Sequence, residues 1–113
     1  MLVVLTTTST SEEAEALAGK MVESRLAACV QILPQMTSVY VWEGKTQRES
    51  ECLLLIKTLP KNWHGLREFI SANHSYEVPE IVALDAQAAE PYHRWLNAEL
   101  TGSKPPEDPT IDN

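Results

Sequence analysis

The apolar and polar positions of this chain alternate between two periods, and the switches between them mark out the elements. Leu2 to Thr7 is a short apolar, β-branched run that reads as a buried strand. Thr10 stands three residues before Glu13, a capping-box spacing, and Ala14, Leu17, Ala18, Met21 and Val22 follow at helical intervals. This predicts a helix over Ser11 to Leu26. Ala27 to Leu33 then returns to a period of two, with Pro34 as its break. Thr37 to Glu43 alternates again, placing Tyr40 and Trp42 opposite Val39 and Val41, and Gly44 and Lys45 mark a turn.

Glu49 to Thr58 is the most informative strand. Leu53 and Leu55 fall on one face and Cys52, Leu54 and Ile56 on the other, so both faces need cover. Pro60 suits the opening turn of a second helix over Lys61 to Asn73, striped by Trp63, Leu66, Phe69 and Ile70. Pro79 forces Val78 out of the helical region, so that helix must end before it. Ile81 to Leu84 is a further short strand. A last helix opens at Glu90 and Pro91 and carries Tyr92, Trp95, Leu96 and Leu100.

The order is β-α-β-β-α-β with an added C-terminal helix. That is an α+β, ferredoxin-like sandwich in which both main helices cover one face of an antiparallel sheet. Residues 1–100 form one domain, and residues 101–113, polar and rich in proline, read as a flexible tail. With 113 residues there are too few helices to cover the second face, so self-association is expected.

Composition narrows the classes. A net charge of -7 without any cluster of Lys and Arg argues against nucleic acid as a partner. No apolar run approaches the length of a membrane span. The two cysteines, Cys29 and Cys52, lie far apart and form no CxxC pair, which rules out a zinc ribbon or a thioredoxin-like motif and suits a reducing compartment. The expected location is the cytoplasm.

Chemistry concentrates in NHSYEVPEI, residues 73–81. His74, Tyr76 and Glu77 are proton-transfer or ligand types, and Cys29 with His74 would make a nucleophile and base. The same residues also serve structure. His74 stands at a helix C-terminus, Tyr76 can secure a loop through its ring and hydroxyl, and Glu77 and Pro79 fit a turn into a strand. The structural reading is favoured over catalysis, and the protein is expected not to be an enzyme. Lys57, after the apolar LLLI run, is expected to pair with a carboxylate such as Glu51 or Glu77, or to reach solvent.

Four ordered stretches, LAACVQI, SVYVWEGK, LLLIKT and HSYEVPEI, together with Tyr92 and Trp95, resemble the CutA divalent-cation-tolerance family. The resemblance implies an interlocked homotrimer with an architecture akin to that of PII-like signalling trimers. It also implies a role in tolerance of copper or other divalent cations. Gln31 and Ser75 stand where the family usually has Asn and Pro. Family members described as copper-binding have a cysteine where this chain has Thr6, and two histidines where it has Asn73 and His74. The leading expectation is therefore weak binding of Cu(II) or another divalent cation between subunits, with His74 and Glu77 as ligands. The alternative is a PII-like sensor that holds a small ligand in the inter-subunit cleft through Lys57, Tyr76 and Trp42.

Overall fold

The structure is a computed structural model that describes residues 1–101. The stretch expected to be a flexible tail lies outside the described residues, apart from Thr101, which ends the last helix. The elements in chain order are β1 (Leu2–Thr8), α1 (Ser11–Glu23), β2 (Cys29–Trp42), β3 (Lys45–Thr58), a 3-10 turn (Pro60–Asn62), α2 (Trp63–Asn73), β4 (Val82–Asp85) and α3 (Glu90–Thr101). The four strands form one antiparallel sheet in the order β2-β3-β1-β4.

Register sorts the side chains. Val4 lies opposite Ile56 and Thr6 opposite Leu54, so Val4, Thr6, Leu54 and Ile56 share a face. All four are fully buried, and Ala14, Leu17 and Met21 of α1 and Leu66 and Ile70 of α2 are buried in the same core. A second, smaller core joins Leu96 and Leu100 of α3 to Leu59. On the other face, Val3, Leu5, Leu53 and Leu55 are only half-buried, and Leu33, Val82 and Leu84 are exposed.

The two strands expected over Ala27 to Leu33 and Thr37 to Glu43 are one. Pro34 does not end the strand, because it sits on the edge of the sheet, where no ladder hydrogen bond is demanded of it. The register slips between Leu33 and Met36, and Gln35 takes a φ of 55°, so the chain bulges and continues. Beyond this point β2 and β3 pair only with each other, as far as Trp42 opposite Lys45. A two-residue turn closes the hairpin, with both central residues at positive φ, Glu43 at 50° and Gly44 at 78°. That turn matches the right-handed twist of the strands. The projecting hairpin gives the molecule an extent of 58 Å along its long axis against 25 Å across.

Helix α1 ends three residues earlier than its apolar stripe suggests. Arg25 adopts a φ of 60°, its N–H bonds to Val22 O at 3.1 Å, and Leu26 N–H bonds to Met21 O at 2.9 Å. This is a Schellman motif with arginine where glycine is usual, and Leu26 supplies the apolar contact that accompanies it. At the other end, Thr10 Oγ1 accepts from Glu13 N–H at 3.1 Å. The Glu13 carboxylate does not complete the box but turns to the α2–β4 loop. The second helix also differs at its start. Lys61 lies in the 3-10 turn, and α2 proper begins at Trp63.

Candidate functional site: a buried carboxylate under the α2–β4 loop

Residues 74–81 connect α2 to β4 without regular structure. They cross the end of the sheet where β1 stops and the β2–β3 hairpin continues alone. Here the open face changes from apolar to polar, from Leu53 to Glu51 and from Leu5 to Thr7.

Glu51 is the centre of the site and is only 7% exposed. Tyr76 Oη donates to Glu51 Oε2 at 2.6 Å. Burial alone would push the Glu51 carboxyl up. Hydrogen bonds from the hydroxyls of Ser38, Tyr76 and Thr7 outweigh that and hold it below the ordinary carboxylate range. The Tyr76 hydroxyl moves the opposite way, raised first by burial and then by its bond to Glu51 and the negative charge there. At neutral pH the pair is thus a carboxylate accepting from a neutral phenol.

His74 lies beneath this pair with its side chain fully buried. Its Nε2 is 2.6 Å from Thr7 O, and its Nδ1 is 3.0 Å from the Tyr76 amide nitrogen. Glu13 Oε2 is 3.9 Å from Nδ1, and the His74 and Tyr76 rings stand 4.7 Å apart, tilted by 50°. Glu13 closes the site from α1. Its two oxygens accept from Ser75 N–H and Ser75 Oγ, both at 2.9 Å.

The structure thus brings His74 and Tyr76 together, with Glu51, Glu13, Ser75 and Thr7 as their partners, and it disperses the rest. Glu77 is exposed on the loop. Trp42 sits at the hairpin tip, 45% exposed. Lys57 does not pair with Glu51 or Glu77. Its Nζ lies 5.6 Å from the ring centroid of Tyr92, a cation–π contact at the opposite end of β3. Within one chain, therefore, Lys57, Tyr76 and Trp42 do not share a site. Cys29 is opposite Lys57 in the β2–β3 ladder, far along the sheet from His74, so the two do not form a nucleophile and base. Glu51 and Glu13 were legible only in part. Glu51 ends the polar half of a strand whose other half is buried, and Glu13 carried a capping signal that masked its second partner.

The residues here do not fit a copper ion. Copper favours thiolate and imidazole ligands. Thr6, fully buried, offers a hydroxyl, and His74 has both nitrogens engaged. Thr6 Oγ1 has no hydrogen-bond partner, but it faces the helix-covered core. Among the described residues no group of three or more His, Cys, Asp or Glu is placed to hold a metal ion. Nor is any helix among them long and apolar enough to cross a membrane.

Comparison with known proteins adds a lineage to this geometry. Residues 2–99 match the family described as CutA1 divalent ion tolerance protein. The chain is 46% identical over 101 residues to the divalent-cation tolerance protein CutA of Thermus thermophilus, covering 88% of this chain and 97% of that protein. It is 45% identical over 96 residues to the chloroplastic protein CutA of Arabidopsis thaliana, covering 84% of this chain and 53% of that one. The chain spans about half the length of that relative and of a rice relative, of which it covers 54%. Among solved structures, the divalent cation tolerance protein of Thermus thermophilus superposes with a TM-score of 0.81 at 46% identity, covering 85% of this chain and 95% of that chain. The periplasmic divalent cation tolerance protein CutA of Archaeoglobus fulgidus gives 0.85 at 31% identity, covering 88% and 99%.

Proposed function

Because the chain belongs to the CutA1 divalent ion tolerance family, we propose that it serves divalent-cation tolerance as a non-enzymatic homotrimer of ferredoxin-like subunits. One observation carries the proposal: the sheet has a second apolar face that the described chain covers only at its ends, by α3 and by the α2–β4 loop. Leu33, Val82 and Leu84 are 44%, 43% and 49% exposed there, while Val4, Leu54 and Ile56 on the helix-covered face are fully buried. The hairpin repeats the pattern with Val39, Tyr40, Val41 and Trp42 all exposed. Contiguous apolar exposure on this scale marks an interface. In an interlocked trimer each hairpin lies against a neighbouring sheet, and Trp42 of one copy approaches the loop of another.

In this reading, any metal contact is weak and made between subunits. Hard divalent cations suit it better than copper, since the exposed donors near the loop are carboxylates such as Glu77. The free thiols of Cys29 and Cys52 support a reducing, cytoplasmic location, although relatives carry chloroplastic and periplasmic names.

The test combines light scattering with metal analysis of protein purified without an affinity tag, followed by a thermal-shift screen of Mg, Ca, Mn, Cu and common metabolites. A particle of three times 12.6 kDa, shifted upward by a hard divalent cation and less so in Glu77→Gln, is expected. A monomer that keeps its stability on dilution overturns the assembly. A metabolite shift without any metal shift overturns the metal reading in favour of a ligand sensor.

A further inference from the structure

We infer that His74 is a latch that fixes Tyr76 on Glu51, and that its commitment to the chain's own backbone keeps copper out of this corner. A carbonyl oxygen only accepts, so the 2.6 Å contact with Thr7 O requires the proton on Nε2. The Tyr76 amide only donates, so its 3.0 Å contact occupies the lone pair of Nδ1. The ring is therefore the neutral Nε2–H tautomer with nothing left for a metal. To ligate through Nδ1 it would have to abandon the Tyr76 N–H; to ligate through Nε2 it would have to lose a proton and its bond to β1. The side chain is fully buried, so neither atom is reached from solvent without opening the loop.

What the ring does instead is geometric. A side-chain acceptor that binds the N–H two residues on is the closure of an Asx-turn, here made by imidazole rather than Asn. It turns the chain so that Tyr76 lies tilted against His74 and places its hydroxyl on Glu51. The Nε2–H bond ties that turn to β1 at Thr7, whose own hydroxyl also serves Glu51. Ser75, between the two rings, is held on its other side by both oxygens of Glu13. Proline in that place would have neither N–H nor hydroxyl to offer, so this second fastening belongs to this chain's sequence.

His74 is thus a positioning residue, and its removal is read at Tyr76. In the full-length, tag-free protein, His74→Ala speeds hydrogen exchange of the Tyr76 amide by about tenfold or more, the scale expected for losing one protecting bond. It also brings the Tyr76 phenol back toward its ordinary titration, followed by tyrosinate absorbance. His74→Asn retains slow exchange, because Asn Oδ1 can accept the same N–H. Copper(II) chloride titrated at stoichiometric concentration gives the same heat with native protein and with both variants. Unchanged exchange in His74→Ala, or exchange in His74→Asn as fast as in His74→Ala, overturns the latch. Copper binding that disappears with His74 overturns the exclusion. If His74→Ala does not fold, His74→Asn decides both. Native-like exchange and native-like copper heat support the proposal, and a loss of either against native overturns it.

Discussion

The two faces of strand β3 are covered to very different degrees. On one, Cys52, Leu54, Ile56 and Thr58 are buried beneath α1 and α2. On the other, Leu53, Leu55 and Lys57 are half-buried under nothing but α3 at one end and the α2–β4 loop at the other. Residue type does not separate the faces, since leucine serves both. What separates them is that the described chain has only enough helix to close one. The open face is the assembly surface of the proposed trimer, and Glu51 lies at the border where it turns polar.

Substitutions can break this contrast in order of expected size. Leu54→Ala creates a cavity in the closed face, where Leu54 is fully buried. It should cost about 2–5 kcal/mol, measured by denaturant unfolding. The same change at Leu53 should cost clearly less in a monomeric form; equal losses would mean that the two faces are equally packed within one chain. Leu84→Arg tests the open face. It should leave far-UV circular dichroism intact, dissociate the proposed trimer in light scattering and lower the melting temperature through lost assembly. A trimer that survives it would move the interface elsewhere.

The border between the faces should respond to pH. The folded Glu51 carboxyl is held below its ordinary value, so it binds its proton less readily in the native state than in the unfolded one. Its contribution to stability is complete above the unfolded pKa of about 4.3 and is lost as pH falls through the lower folded value. Glu51→Gln should therefore flatten the acid limb of the stability profile below about pH 4.5 while lowering stability at neutral pH. An acid limb identical to that of the native protein would remove Glu51 from this role.

The smallest effect is expected at the end of α1. Arg25 holds a φ of 60°, which glycine adopts freely, but Arg25 also donates from Nη1 to Glu99 O at 2.9 Å. Arg25→Gly should stabilise by less than about 1 kcal/mol, the relief of the left-handed backbone being partly offset by the greater freedom of glycine in the unfolded chain. A net destabilisation would show that the bond to α3 matters more than the cap.

Where local pattern and burial agree, the sequence was sufficient. Leu2 to Thr7 is the first strand to within one residue, and the helical stripe of Leu66 and Ile70 is the buried side of α2. The assignment of Leu53 and Leu55 to one face and of Cys52, Leu54 and Ile56 to the other follows from a period of two, which no tertiary context alters. The errors arise where a local signal had two meanings. Pro34 breaks a central strand but not an edge. A helix without a C-terminal glycine still ends when another residue takes the left-handed turn.

The candidate site divides along the same line. That the second helix must end before Val78 was legible from Pro79, which restricts the residue before it whatever surrounds it, and α2 ends at Asn73. That His74 has no lone pair to spare was decided by β1 and by the loop folding over it, because the acceptor at Thr7 and the donor at Tyr76 meet only in three dimensions. Glu51 and Glu13 entered the site for the same reason, from a strand and a helix 25 and 62 residues away in the chain. Lys57 went to Tyr92 rather than to a carboxylate because α3, a separate element, presents an aromatic face at that end of the sheet. Periodicity specifies which side of an element is apolar; only the packing of elements specifies which polar groups find each other.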